Sequence, residues 1–209
     1  MQADTAMRGV MRGIAAGTWG PGDKLNEVAV ATKLGVSRNT LREAFARMAT
    51  QGLVQRIPNR GVFVTRPEPK DVKDLYAART IVESGALLWG KRHRLAGTNG
   101  VERHVRVAEE AAEIGDLQAV GLANRKFHQD IVTSVGSGFL NDTTDRMAAQ
   151  MQLVFSLARA KEPNFQLEYV PVNRRITDLI NADEWEQAAE YLRESLAETS
   201  VRLQKLLKK

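Results

Sequence analysis

The chain contains no cysteine, six prolines and only 6% aromatic residues in a length of 209. Without cysteine there are no disulfides, no thiolate metal sites and no Cys nucleophile. No apolar run approaches the roughly eighteen residues of a membrane span, and no signal-peptide pattern opens the chain, so a soluble, cytoplasmic protein is expected. A Gly-rich phosphate loop, a nucleophile motif and a His-Glu-x-x-His pair are also missing, which removes the usual supports for catalysis. No internal repeat or low-complexity tract is present. The 43% apolar content is sufficient for the core of one large or two modest domains.

Charge is unevenly distributed. The net charge is +5, and residues 1–65 hold nine Lys or Arg against four Asp or Glu, which leaves 21 of each sign in the remainder. The formal charge therefore sits on the first third of the chain, as expected of a segment that neutralises phosphates.

That segment carries a motif. Asn26 is placed to cap a short helix through Leu34, with Val28, Val30, Ala31 and Leu34 as apolar contacts, and Gly35 can take the positive φ that ends it. Ser37 is placed to cap a second helix to about residue 50, in which Leu41, Ala44, Phe45 and Met48 form one buried stripe. The free side carries Arg38, Asn39 and Arg42 in its first turns, where a recognition helix meets base edges. Arg suits guanine and Asn suits adenine in bidentate pairing. Gly52 ends the helix, and the β-prone runs 53–57 and 62–65 flank Pro58-Asn59-Arg60-Gly61, a hairpin tip presenting Arg60. A winged helix-turn-helix is expected over 1–66, with Ser37 and Thr40 holding phosphates and Arg60 with Gly61 placing the wing at the minor groove. A helix over 5–16, with Met7, Val10, Met11 and Ile14 on one face, should pack on this unit.

Pro67 and Pro69 predict an extended linker over 67–70. Beyond it, 71–209 reads as an all-α antiparallel bundle of six or seven helices: 71–92, 101–114, 117–135, 140–160, 172–181 and a last helix to about 207. Val72, Leu75, Tyr76, Ile81 or Val82 and Leu87 give the first its apolar face. A basic run at 91–94 reads as a solvated helix end, and Asp183 with Glu186 as a capping-box variant opening the last helix, whose apolar positions include Trp185, Leu192, Leu196, Val201 and Leu203.

The runs Pro21-Gly22-Asp23-Lys24-Leu25-Asn26-Glu27, Leu34-Gly35-Val36-Ser37-Arg38-Asn39-Thr40-Leu41-Arg42-Glu43-Ala44 and Pro58-Asn59-Arg60-Gly61 resemble the N-terminal domain of GntR-type transcriptional regulators. The second half is similar to the FadR-type effector domain through Arg79 with Glu83, Phe127-His128 and Asn181-Ala182-Asp183. The resemblance implies a homodimeric repressor or activator on a palindromic operator, controlled by a small metabolite, often a carboxylate, inside the bundle. Many members hold a divalent metal with an Asp and three His. The matching positions here read Asn124, His128, Asn173 and Ser195, a set ill suited to Zn²⁺ or Ni²⁺. No metal is therefore expected, and these four with Arg79 are the candidate effector-binding residues. Arg79 can clamp a carboxylate or pair with Glu83 one turn on; Arg159 has the same ambiguity. His93 lies in the basic run at the solvated helix end, and His104 lacks a second ligand at useful spacing. Two other readings remain: an architectural DNA-binding protein without a ligand, and an enzyme using His128 with Asp130, or Glu109 with Glu110 and Glu113.

Overall fold

The computed structural model describes residues 2–15, 17–93 and 98–208, and the chain divides into two compact units. The first comprises Met1–Glu68 together with Ala149–Leu157, and the second Pro69–Ala148 with Ala158–Lys209.

In the first unit, α1 (Gln2–Ala15), α2 (Glu27–Leu34) and α3 (Arg38–Thr50) pack around a core of Val10, Ile14, Val30, Leu41, Phe45 and Met48. Asn26 caps α2 as expected, its Oδ1 accepting from the backbone N–H of Val28 and Ala29, and Gly35 ends it at φ +64. Val28, expected inside, is 56% exposed because it stands on the outer side of this two-turn helix while Val30 and Ala31 face in. Ser37 caps α3 by accepting from Thr40 N–H, and the stripe Leu41, Ala44, Phe45 and Met48 is buried. Asp4 of α1 pairs with Arg47 of α3 at 2.8 Å.

The wing is β2 (Val54–Ile57) and β3 (Gly61–Val64), antiparallel, with Ile57 opposite Gly61. Its tip needs positive φ twice, at Asn59 (+58) and Gly61 (+107). A two-residue strand that the residue pattern did not announce, β1 (Lys24–Leu25), pairs with β3 to give the order β1-β3-β2. Leu153, from the stretch 149–157 that belongs to this unit, joins the core, and Gln150 Nε2 donates to the Gln51 carbonyl at the end of α3.

The second unit is helical: α4 (Pro69–His93), α5 (Thr98–Glu113), α6 (Leu117–Thr133), α7 (Gly138–Lys161), a 3₁₀ turn (Phe165–Glu168), α8 (Tyr169–Asn181) and α9 (Trp185–Lys208). Within it α4 packs mainly on α9 and α5 on α6, and α8 lies against both α5 and α9. Pro69 belongs to the helix rather than to a linker, since a first-turn proline lacks only an N–H that the helix leaves unpaired anyway. Ile81 and Val201 are 74% and 51% exposed, so Val82, half-buried, supplies the inward contact of that turn of α4. Asp183 does not cap α9 as expected. It sits at φ +62, and its carboxylate accepts from the Trp185 indole N–H. The basic run 91–94 falls partly outside the described residues, as does the break before α5. Among the described residues no helix is long and apolar enough to cross a membrane.

Candidate DNA interface and effector site

Capping fixes the start of α3. Ser37 Oγ and Thr40 Oγ1 lie 2.8 Å apart and share a hydrogen bond, so the two hydroxyls expected to meet phosphates form one polar step at the helix N-terminus, where the helix dipole favours anions. Arg38, Asn39 and Arg42 follow on the exposed face. The two arginines are not free in solution. Arg42 Nε donates to Glu27 Oε2 at 2.8 Å, and Arg38 Nη2 lies 4.0 Å from the same oxygen. This pairing spans two helices and fifteen positions, so no local residue pattern announces it.

At the wing, Arg60 stacks on Phe63 with its guanidinium carbon 5.7 Å from the ring centroid, and Lys24 Nζ lies 6.0 Å from the same ring. Lys24 comes to the wing because β1 pairs with β3, setting Lys24 opposite Phe63. It therefore adds a second cation beside Arg60 and Gly61.

In the second unit four of the five expected effector residues fall into two hydrogen-bonded groups, and Ser195 bonds within its own helix. Arg79, on α4, is buried and donates through Nε to Glu83 Oε1 at 2.8 Å, with its guanidinium 4.9 Å from the Tyr76 ring. The other oxygen of Glu83 lies 2.8 Å from His128 Nδ1 on α6. Burial works to raise the Glu83 pKa, but Arg79 and His128 outweigh it and hold the carboxyl at about 2. For His128 burial dominates and lowers the pKa against the pull of Glu83. A neutral imidazole beside an ionised carboxylate carries its proton on Nδ1, which leaves Nε2 as an acceptor. The second group joins α6 to α8: Asn173 Nδ2 donates to Asn124 Oδ1 at 2.8 Å, both side chains being buried. Ser195, partly buried, uses its hydroxyl within its own helix, donating to the Tyr191 carbonyl.

This donor set does not fit a transition-metal site. His128 is the one imidazole of the four positions, its Nδ1 is engaged, and the Asn124 oxygen already accepts an amide proton. Among the described residues no group of three or more His, Cys, Asp or Glu is arranged to hold a metal ion.

Gln166, in the 3₁₀ turn, packs on α6, although nothing in its sequence context marks it. Its side chain is buried, its Oε1 has no hydrogen-bond partner, and its amide lies against Gly121, one turn before Asn124, where a Cβ would meet it at 2.7 Å. Two of the carboxylates considered for catalysis are engaged by other side chains. Asp130 lies 3.0 Å from His104 Nε2 rather than on His128, and Glu109 takes two bonds from Arg174.

Residues 3–64 match the model of bacterial regulatory proteins of the gntR family, and residues 74–198 match the FCD domain. A transcriptional regulator of the helix-turn-helix type from the TAR-I ttuE-ttuC' intergenic region of Agrobacterium vitis is 28% identical over 140 residues, 63% of this chain and 79% of that one. The Nta operon transcriptional regulator of Aminobacter aminovorans is 34% identical over 103 residues, 47% of this chain and 46% of its own. The crystal structure of a GntR transcriptional regulator from Rhodococcus sp. RHA1 superposes with a TM-score of 0.87 at 28% identity, covering 96% of each chain. With a capped, arginine-bearing helix and basic wing in one unit and a polar cluster inside a helical second unit, the chain belongs to the gntR family of bacterial transcriptional regulators, with an FCD effector-binding domain.

Proposed function

We propose that Arg38, Asn39 and Arg42 read base edges in the major groove, that Ser37 and Thr40 hold phosphates, and that Arg60 and Gly61, with Lys24, seat the wing beside the minor groove. The observation that carries this reading is the exposed, side-chain-capped N-terminus of α3 bearing all three base-reading candidates within five residues. The regulator acts as a homodimer on a palindromic site. Support comes from α4, where exposed Ile81 and Leu88 stand two turns apart and Gly85 lies between them with open space beyond its Cα, a face suited to a second copy of the same helix. DNA binding of this kind goes with a cytoplasmic location.

The effector binds within the second unit against Arg79, Asn124, His128 and Asn173, joined by Gln166, with Ser195 at the margin. The unpartnered Gln166 oxygen and the acceptor left on His128 supply hydrogen-bonding capacity that a polar metabolite can satisfy. The Arg79 charge is already matched by Glu83, so a carboxylate effector has to compete with that pair for the guanidinium.

The test has two arms. Duplexes enriched from a random library by the full chain should bind tightly, and Arg42→Ala should cost ~1–3 kcal/mol on them with relaxed base preference at one position. Uniform weakening on all DNA would make Arg42 a phosphate contact instead. In the second arm, chelator-stripped protein is given small carboxylates, neutral sugars, and Zn²⁺ or Ni²⁺. A native-state ligand raises the melting temperature. A metabolite response without metal, abolished by Asn124→Leu, supports the site; one that requires metal would overturn the metal-free reading.

A further inference from the structure

Glu27 is an acidic residue on the surface that this reading sets against a polyanion. It opens α2, where the dipole favours a carboxylate, but Asn26 already caps that helix, so the position does not need Glu27 for its N–H groups. Its side chain is 23% exposed, between Arg42 at 49% and Arg38 at 59%. One carboxylate oxygen accepts a hydrogen bond from Arg42 Nε at 2.8 Å and faces Arg38 Nη2 at 4.0 Å.

Left to itself, an exposed arginine beside DNA swings to the nearest phosphate, a contact that is strong and blind to sequence. Reading guanine demands more, because the guanidinium plane must be held so that two N–H groups meet O6 and N7 together. The Glu27 bond is made at Nε. It fixes the plane of the Arg42 guanidinium and leaves both terminal nitrogens available. Its negative charge also opposes any register in which a phosphate lies over α2.

We propose that Glu27 is a positioning residue that sets DNA specificity, holding Arg42 and steering Arg38 toward base edges while lowering affinity for arbitrary DNA. The inference rests on α3 being the base-reading helix.

The experiment uses the full chain, a duplex enriched by the wild type from a random library, and a scrambled duplex of equal length and composition, titrated by fluorescence anisotropy over a salt series. Glu27→Gln should bind the scrambled duplex more tightly and the enriched duplex no better, so that the specificity ratio falls on the order of tenfold. The slope of log K against log salt on the scrambled duplex should steepen by about one per chain as a freed arginine moves to a phosphate. Glu27→Asp keeps the charge but shortens the reach, so the ratio should fall through the enriched duplex with the scrambled affinity unchanged. Unchanged ratio and slope in Glu27→Gln, or equal weakening on both duplexes at unaltered melting temperature, would overturn the proposal. A wild type that enriches no sequence would sink the base-reading assignment itself, a result distinct from any effect of Glu27.

Discussion

Both oxygens of Glu83 are committed, one to Arg79 and one to His128, and its side chain is only 4% exposed. A carboxylate so placed is the counter-charge for a buried guanidinium, and removing it leaves that cation unmatched in a low-dielectric interior. Glu83→Gln should therefore destabilise the second unit by ~3–5 kcal/mol, read as a lowered urea midpoint. Replacing Arg79 and Glu83 together by Met and Leu should recover much of the loss, because the pair repays little of its own desolvation. Failure of the double variant to recover would mean that the pair also holds α4 through contacts beyond its charges. The Arg79–Glu83 half of this cluster is readable in the sequence, since i and i+4 on one helix face must meet. The His128 half is not, because it lies 45 positions from Glu83 and only helix packing brings the two together. The same limit hid Glu27, whose partner lies on the next helix, and Gln166, whose environment exists only once the 3₁₀ turn rests on Gly121.

At the scale of elements, what the sequence discloses is what short-range chemistry decides. Asn26, Gly35 and Ser37 delimit α2 and α3 because caps and a positive φ act within four residues. The wing follows from turn residues between two β-prone runs. The two-residue β1 has no such signal, since its strand character comes wholly from pairing with β3, and the stretch 149–157 reads like any other part of a long helix although it packs with the first unit. Asp183 shows the opposite failure: the right residue types for a capping box stand at the right spacing, but the Trp185 indole takes the carboxylate. Gly35 gives a direct test of the local logic. At φ +64 with open space beyond its Cα, Gly35→Ala meets no clash and only backbone strain, so it should cost about 1–2 kcal/mol. Because the turn sets the angle between α2 and α3, the same variant should weaken binding to the enriched duplex more than to random DNA. Equal stability of wild type and variant would show that the αL conformation is not required there.

For the whole molecule the division into two units bears on how acid acts on it. The shifted carboxyl and imidazole of the polar cluster both belong to the second unit, and both are lowered: Glu83 from 4.5 to about 2, and His128 below 6.5. A group with a depressed folded pKa binds fewer protons in the native state than in the unfolded chain. Its contribution is therefore complete above its unfolded pKa and is lost as pH falls through the folded one. Stability of the second unit should be level above about pH 6.5, decline first as the unfolded chain takes up the proton that buried His128 resists, and decline further below about pH 4.5 as the unfolded chain takes up the one that Glu83 resists. A chain of two units need not unfold in one step. Trp19 belongs to the first unit, Trp89 and Trp185 to the second, so urea unfolding followed by tryptophan fluorescence in a Trp19→Phe variant isolates the second unit. In that background His128→Asn should flatten the decline that begins below about pH 6.5 while leaving the one below about pH 4.5 in place. If the second unit instead gains stability on acidification through that range, the imidazole is more comfortable charged beside Glu83 than neutral. Its Nε2 would then face the effector as a donor, and the polar site would select for an acceptor at that point.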